Sequence, residues 1–144
     1  MASVQSGGVY ILVNAKSGGA LDLSGGDNRS IIGYDVHGSD NQKWRLEQVE
    51  GGQWRLQNVA SGAYLRVDGY AQDGTPVVAP QGDGPFEWDI WPDEDDPNTF
   101  RIFVPNTRLN IDLSDHGNPT PGTPITLWNK WAPGINQRWR FQQA

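Results

Sequence analysis

The sequence predicts an all-β fold built from three repeated units of about four strands each. Three observations carry that expectation. Spacings recur: Tyr10 to Asp22, Trp54 to Arg66 and Phe100 to Asp112 each span 12 positions, and Asp22 to Trp44 and Arg66 to Trp88 each span 22. Glycine (18) and proline (10) are scattered along the 144 residues and cut the chain into short segments, and no long window carries a helical period. Alternation of period two is plain at Trp44-Arg45-Leu46-Glu47, Trp54-Arg55-Leu56-Gln57 and Trp139-Arg140-Phe141-Gln142. One apolar face against one polar face is what a half-buried antiparallel strand requires.

The first unit, residues 8–50, is expected to place strands at 9–13, 20–23, 31–34 and 43–49. The second, 51–95, places them at 53–58, 64–67, 76–79 and 88–91, with turns at Glu50-Gly51-Gly52 and Ala60-Ser61-Gly62. The third, 96–144, places them at 99–104, 110–113, 124–128 and 138–142. Asp112 to Trp139 spans 27 positions, so this unit carries five extra residues; they are expected in the loop around Trp131-Ala132-Pro133-Gly134. Closing three such units into one domain hides strand edges. Trp44, Trp88 and Trp139 are equivalent, and are expected to fill the centre.

Composition narrows the function. The net charge is −6, from 17 acidic and 11 basic residues, whereas a nucleic-acid binder shows a basic patch or stripe. The run Asp93-Glu94-Asp95-Asp96 reads as a solvated loop; it lacks the ligand spacing and turn glycine of a calcium loop. There is no cysteine, and the start MASVQSGGVY has neither a basic nor an apolar signal region. A cytoplasmic protein made without a secretory signal is expected. No apolar run approaches the roughly 18 residues of a membrane span, so membrane insertion is not expected. Nor is an enzyme. A glycosidase needs two carboxyl groups roughly 5 to 10 Å apart, and Asp22 and Asp112 belong to different repeats. No G-x-S-x-G motif is present. Two histidines without cysteine make no zinc site, and no cofactor is implied.

Two stretches carry a Q-x-W motif, Gln42-Lys43-Trp44 and Gln137-Arg138-Trp139, with Glu87-Trp88 as a degenerate middle version. In this the chain resembles the ricin B-chain-type lectins, which fold as β-trefoils, and the resemblance covers essentially its whole length. Without signal peptide or cysteine, it is most similar to the mushroom ricin-B-like lectins. The resemblance implies a β-trefoil lectin for glycans ending in galactose or N-acetylgalactosamine, on glycoproteins or glycolipids. It also implies a role in defence against animals that eat fungi. Some mushroom β-trefoils instead inhibit proteases through an exposed loop, and that is the alternative reading.

A sugar offers hydroxyls at its edges and C–H groups on its faces. A carboxylate accepts two hydroxyl hydrogen bonds, an amide both donates and accepts, and an aromatic ring covers the apolar face. In the family, the acid after the first apolar strand start, a ring on the third strand and the Asn of N-Q-x-W form the pocket. Asp22, Tyr34 or His37, and Asn41 match those places in the first repeat, and the Gly25-Gly26 turn leaves room for a ligand. The third repeat keeps Asp112, Trp128 or Trp131, and Asn136. The second departs throughout: Arg66 replaces the acid, Pro80 the ring and Phe86-Glu87 the amide pair. The first repeat is expected to be the principal site and the third weak, its extra residues displacing ring and amide and its tryptophans filling the cavity. Strong attachment to cells then requires a homodimer or a working third repeat.

Overall fold

The computed structural model describes residues 4–144. Twelve strands occur in three sets of four. The first set is β1 (Val9–Asn14), β2 (Ala20–Leu23), β3 (Ile31–Tyr34) and β4 (Trp44–Gln48). The second is β5 (Trp54–Asn58), β6 (Arg66–Val67), β7 (Val77–Val78) and β8 (Asp89–Pro92). The third is β9 (Phe100–Phe103), β10 (Leu109–Leu113), β11 (Thr123–Asn129) and β12 (Trp139–Gln143).

The outer strands of each set close a barrel. Antiparallel pairs β12–β1, β1–β4, β4–β5, β8–β9 and β9–β12 are joined by a bridge between Trp54 and Trp88. The inner strands make three hairpins, β2–β3, β6–β7 and β10–β11. Pairing of β11 with β3 and bridges Ser30–Val78 and Pro76–Thr126 knit them into a cap. This is the expected β-trefoil. Tyr10–Trp44, Trp54–Trp88 and Phe100–Trp139 are partners in the three units.

Alternation explains the core. Leu12, Leu46, Leu56, Ile90, Ile102 and Phe141 point inward from barrel strands. Leu21, Leu65 and Ile111 do so from the hairpins, and Trp44, Trp88 and Trp139 are fully buried. Each indole nitrogen donates to the carbonyl of the hairpin residue above it: Leu21 at 3.0 Å, Leu65 at 3.0 Å and Ile111 at 3.3 Å. The ring therefore fills space and leaves no buried donor unpaired.

The structure corrects four expectations. The second hairpin is two residues per strand rather than four: beyond Arg66 and Val78 the next pair would be Leu65 and Ala79, whose N–H groups donate instead to the Leu56 and Arg29 carbonyls, each at 2.9 Å. The shared spacing of 22 is a coincidence of compensating loops. Register pairs Asp22 with Ile32, Arg66 with Val78 and Asp112 with Thr126, intervals of 10, 12 and 14. Four of the five extra residues of the third unit thus lie in the β10–β11 turn, and only one lies between β11 and Trp139. That turn coils as Ser114–Gly117, with Asp115 and His116 in the left-handed region. Asp93, read as part of a solvated run, is buried. Its carboxylate is 2.7 Å from Arg101 Nε and 3.3 Å from Arg138 Nε, while Glu94 and Asp95 stay exposed.

Candidate functional site

At the first hairpin, Asp22 lies within β2, all of whose residues are buried; the side chain of Ile32 faces it across the ladder. A short turn, Asp40–Gln42, precedes Trp44 and is too brief to leave a periodic signal in the sequence. It aims Gln42 at the acid. Gln42 Nε2 donates to Asp22 Oδ2 at 2.9 Å and to the Asp35 carbonyl at 2.8 Å, while its Oε1 accepts from the backbone N–H of His37 at 3.0 Å and Gly38 at 3.2 Å. One glutamine thereby fixes the carboxylate and the loop that carries His37. Asn41 Nδ2 donates to the Leu23 carbonyl at 3.2 Å, and Asn58 of the next repeat holds the Asn41 carbonyl at 3.0 Å. Tyr34 and His37 pack edge to face at 5.9 Å, and His37 Nε2 stands 3.7 Å from Asp22 Oδ2. His37 is the ring beside the acid, and Tyr34 packs against it. Gly25 sits at the open tip of the turn, where an added Cβ meets nothing within 4 Å.

The third hairpin repeats the construction. Gln137 Nε2 donates to Asp112 Oδ2 at 2.9 Å and to the Asn129 carbonyl at 3.1 Å, and its Oε1 accepts from Trp131 N–H at 3.3 Å. Asn136 Nδ2 donates to the Leu113 carbonyl at 3.1 Å, and Asn14 of the first repeat holds the Asn136 carbonyl at 3.0 Å. By these contacts Trp128 stands where Tyr34 stands and Trp131 where His37 stands. Asp112, Trp128, Trp131 and Asn136 line an open cavity of about 250 Å³. The tryptophans wall it and do not fill it. The extra residues lie mainly in the other loop, so neither ground for a silent third repeat survives.

Ser114, Asp115, His116 and Thr126 complete the cavity. Sequence reasoning missed these four; the insertion brings Asp115 and His116 in, and its place was visible only from the hairpin register. Asn136 Oδ1 is buried without a partner among the described residues. Arg101, buried in β9, was also missed. It donates to Gln137 Oε1 at 2.6 Å, to the Trp131 carbonyl at 3.0 Å and to the Pro133 carbonyl at 3.1 Å, and so braces the whole third-repeat loop. The first repeat has Ile11 at the matching place, one residue after Tyr10.

Burial pushes the Asp22 carboxyl above its ordinary 3.8, against the Gln42 hydrogen bond, the His37 charge and Asn41. Burial likewise raises Asp112, against Gln137, Asn136 and His116. The middle repeat holds no such acid. Arg66 Nη1 donates to the carbonyls of Gly84 at 2.7 Å and Pro85 at 3.1 Å, and its guanidinium lies over the Phe86 ring at 5.8 Å. Counted back from Trp88, Pro85-Phe86 stands at the amide pair, one residue earlier than the Phe86-Glu87 expected. Glu87 instead pairs with Arg55 at 3.0 Å.

The family described as ricin-type beta-trefoil lectin domain-like matches residues 2–79 and 40–128. The chain belongs to it. Among solved structures, the Macrolepiota procera ricin B-like lectin in complex with lactose is 47% identical, with 99% of this chain and 100% of that one covered and a TM-score of 0.94. The Rhizoctonia solani agglutinin is 32% identical over the full length of both chains, with a TM-score of 0.85. The designed threefold-symmetric ThreeFoil is 25% identical, covering 94% and 99%, with a TM-score of 0.82. No curated protein sequence matched. In this ricin B-like chain, then, the family's motif survives as two complete cradles and one dismantled one.

Proposed function

We propose that this chain is a lectin that binds glycans ending in galactose or N-acetylgalactosamine at two places, the Asp22 cradle and the Asp112 cradle, and makes or breaks no bond. One observation carries the reading. The same acid, glutamine brace, asparagine and flanking rings are built twice in the same contacts, while the middle repeat loses all of them together. In this reading the fixed carboxylate accepts two sugar hydroxyls, Asn41 or Asn136 supplies an amide, and Tyr34 and His37 or Trp128 and Trp131 cover the apolar face of the ring. The lactose held by the Macrolepiota procera lectin supports galactose as the sugar.

The experiment is calorimetric titration with lactose. Two sites per chain are expected. Asp22→Ala and Asp112→Ala should each remove one while the melting transition persists, and the double variant should bind nothing. Unchanged lactose affinity in the folded double variant would overturn the reading. We place the biological role in defence, through attachment to the surface glycans of animals that feed on the producing organism. Toxicity in a feeding assay that persists with the double variant would remove that role.

A further inference from the structure

We propose that the third-repeat site, and not the first, extends into a cationic cleft that takes an acidic glycan, one carrying a carboxylate or sulfate beside the galactose. This rests on the lectin reading above. The Asp112 cavity shares His116, Trp131 and Asn136 with a second cavity of about 90 Å³, which is closed by Lys16, Pro133 and Ile135. The two cavities adjoin at the three shared side chains. In this proposal the Asp112 cavity holds galactose; the second is lined by Lys16, which makes no ion pair among the described residues, with the half-exposed Trp131 ring between them.

Lys16 is positioned and not merely nearby. It sits in the β1–β2 turn, whose backbone is capped by Asn14 Oδ1 accepting from the N–H groups of Lys16 and Ser17 at 3.1 and 3.2 Å. Asn14 is the residue that also holds the Asn136 carbonyl. The stem of Lys16 lies against Gly117: a Cβ there would fall 2.6 Å from Lys16 Cγ and 2.9 Å from Asn136 Cβ, and Gly117 has φ +84°. Only glycine suits both the backbone and the packing. The turn that carries His116 thus ends in the residue that lets the lysine stem lie flat.

The first site lacks this feature. There Asn58 does what Asn14 does here, holding the Asn41 carbonyl and accepting from Ala60 and Ser61 N–H at 3.1 and 3.2 Å. Ala60 therefore stands in the place of Lys16, and among the described residues no cation stands at that place beside the first cradle. The two sites share a galactose subsite and differ in what lies beside it.

The test compares lactose with the two sialyllactose isomers and with sulfated lactose, on Asp22→Ala protein (third site alone) and Asp112→Ala protein (first site alone). At the third site, at least one acidic ligand is expected to bind about three- to fivefold more tightly than lactose. That is the scale of an exposed ion pair, and the gain should shrink as salt is raised. Preference for the sialyl or the sulfated series decides whether the acid is a carboxylate or a sulfate ester. Lys16→Gln should abolish the gain and leave lactose affinity unchanged; Lys16→Arg should keep it. The proposal is overturned if acidic ligands bind the third site no better than lactose, if the gain persists in Lys16→Gln, or if the first site shows it equally. Failure of either site to bind lactose instead bears on the lectin reading.

Discussion

At Asp22 and Asp112, folding and the sugar recognition we propose pull against each other. Burial raises both carboxyls above 3.8. The folded state therefore holds those protons more tightly than the unfolded chain, and stability falls as pH rises through the window between the ordinary and the raised value. Recognition needs the ionised form, so lactose affinity should fade on acidification with a midpoint above that of an ordinary aspartate. Titration at a series of pH values checks this; a midpoint at or below 3.8 would contradict it. Asp112→Asn should accordingly keep or raise the melting temperature while costing the third site about 1.5 to 3 kcal/mol of binding. Arg101 makes a second prediction. Arg101→Lys keeps a charge beside Asp93 but has no fork to hold Gln137, Trp131 and Pro133 together. Third-site affinity should fall at least about tenfold, the scale of one charge-assisted hydrogen bond, with the Asp22 site unmoved as an internal control. The acids and amides of both sites were legible because the motif repeats them. Arg101 was not: in an alternating strand it reads as the polar face, and only the fold lays Asp93 and the Trp131–Pro133 loop over it.

Elements were legible where packing follows local pattern. All twelve strands lie where alternation and turn residues put them, with no boundary off by more than two residues, since a slip of one would expose every core side chain of that strand. The three tryptophans follow from the same logic. Trp44→Ala or Trp139→Ala should cost roughly 3 to 5 kcal/mol and lower the melting temperature by on the order of 10 °C; melts that barely move would show the rings are not core. Loop lengths were legible only as sums. A spacing of 22 in two repeats concealed intervals of 10 and 12 on either side of the hairpin, because counting between anchors is blind to what the ladder pairs. The β10–β11 turn is the consequence. Gly117→Ala should strain a left-handed position by about 1 to 2 kcal/mol and push Asn136 out of place. Third-site binding should weaken while the Asp22 site holds, and equal loss at both sites would mean the damage is global.

On the scale of the whole molecule, threefold closure does more than bury a core. Each cradle is finished by the repeat that follows it: Asn58 supports Asn41, and Asn14, reached only because β12 returns to β1, supports Asn136. The place that would support the middle repeat is Val104, ten positions before Ser114 and without an amide. Retention of two cradles and loss of the third are therefore properties of repeat pairs. The arrangement also fixes valency. A single shallow sugar site holds its ligand at about the millimolar level, near −4 kcal/mol, too weakly for lasting attachment to a cell. Two sites on one rigid chain turn the second contact into an intramolecular event with a much higher effective concentration. A monomer with both sites should therefore cross-link galactose-bearing cells, without the homodimer that a one-site chain would need. Wild-type protein at a concentration where sedimentation shows a monomer should agglutinate such cells. Asp22→Ala and Asp112→Ala should each keep one lactose site by calorimetry and lose agglutination by about the same factor. Full agglutination by either variant, with one site per chain, would show that self-association and not the pair of cradles supplies the second contact.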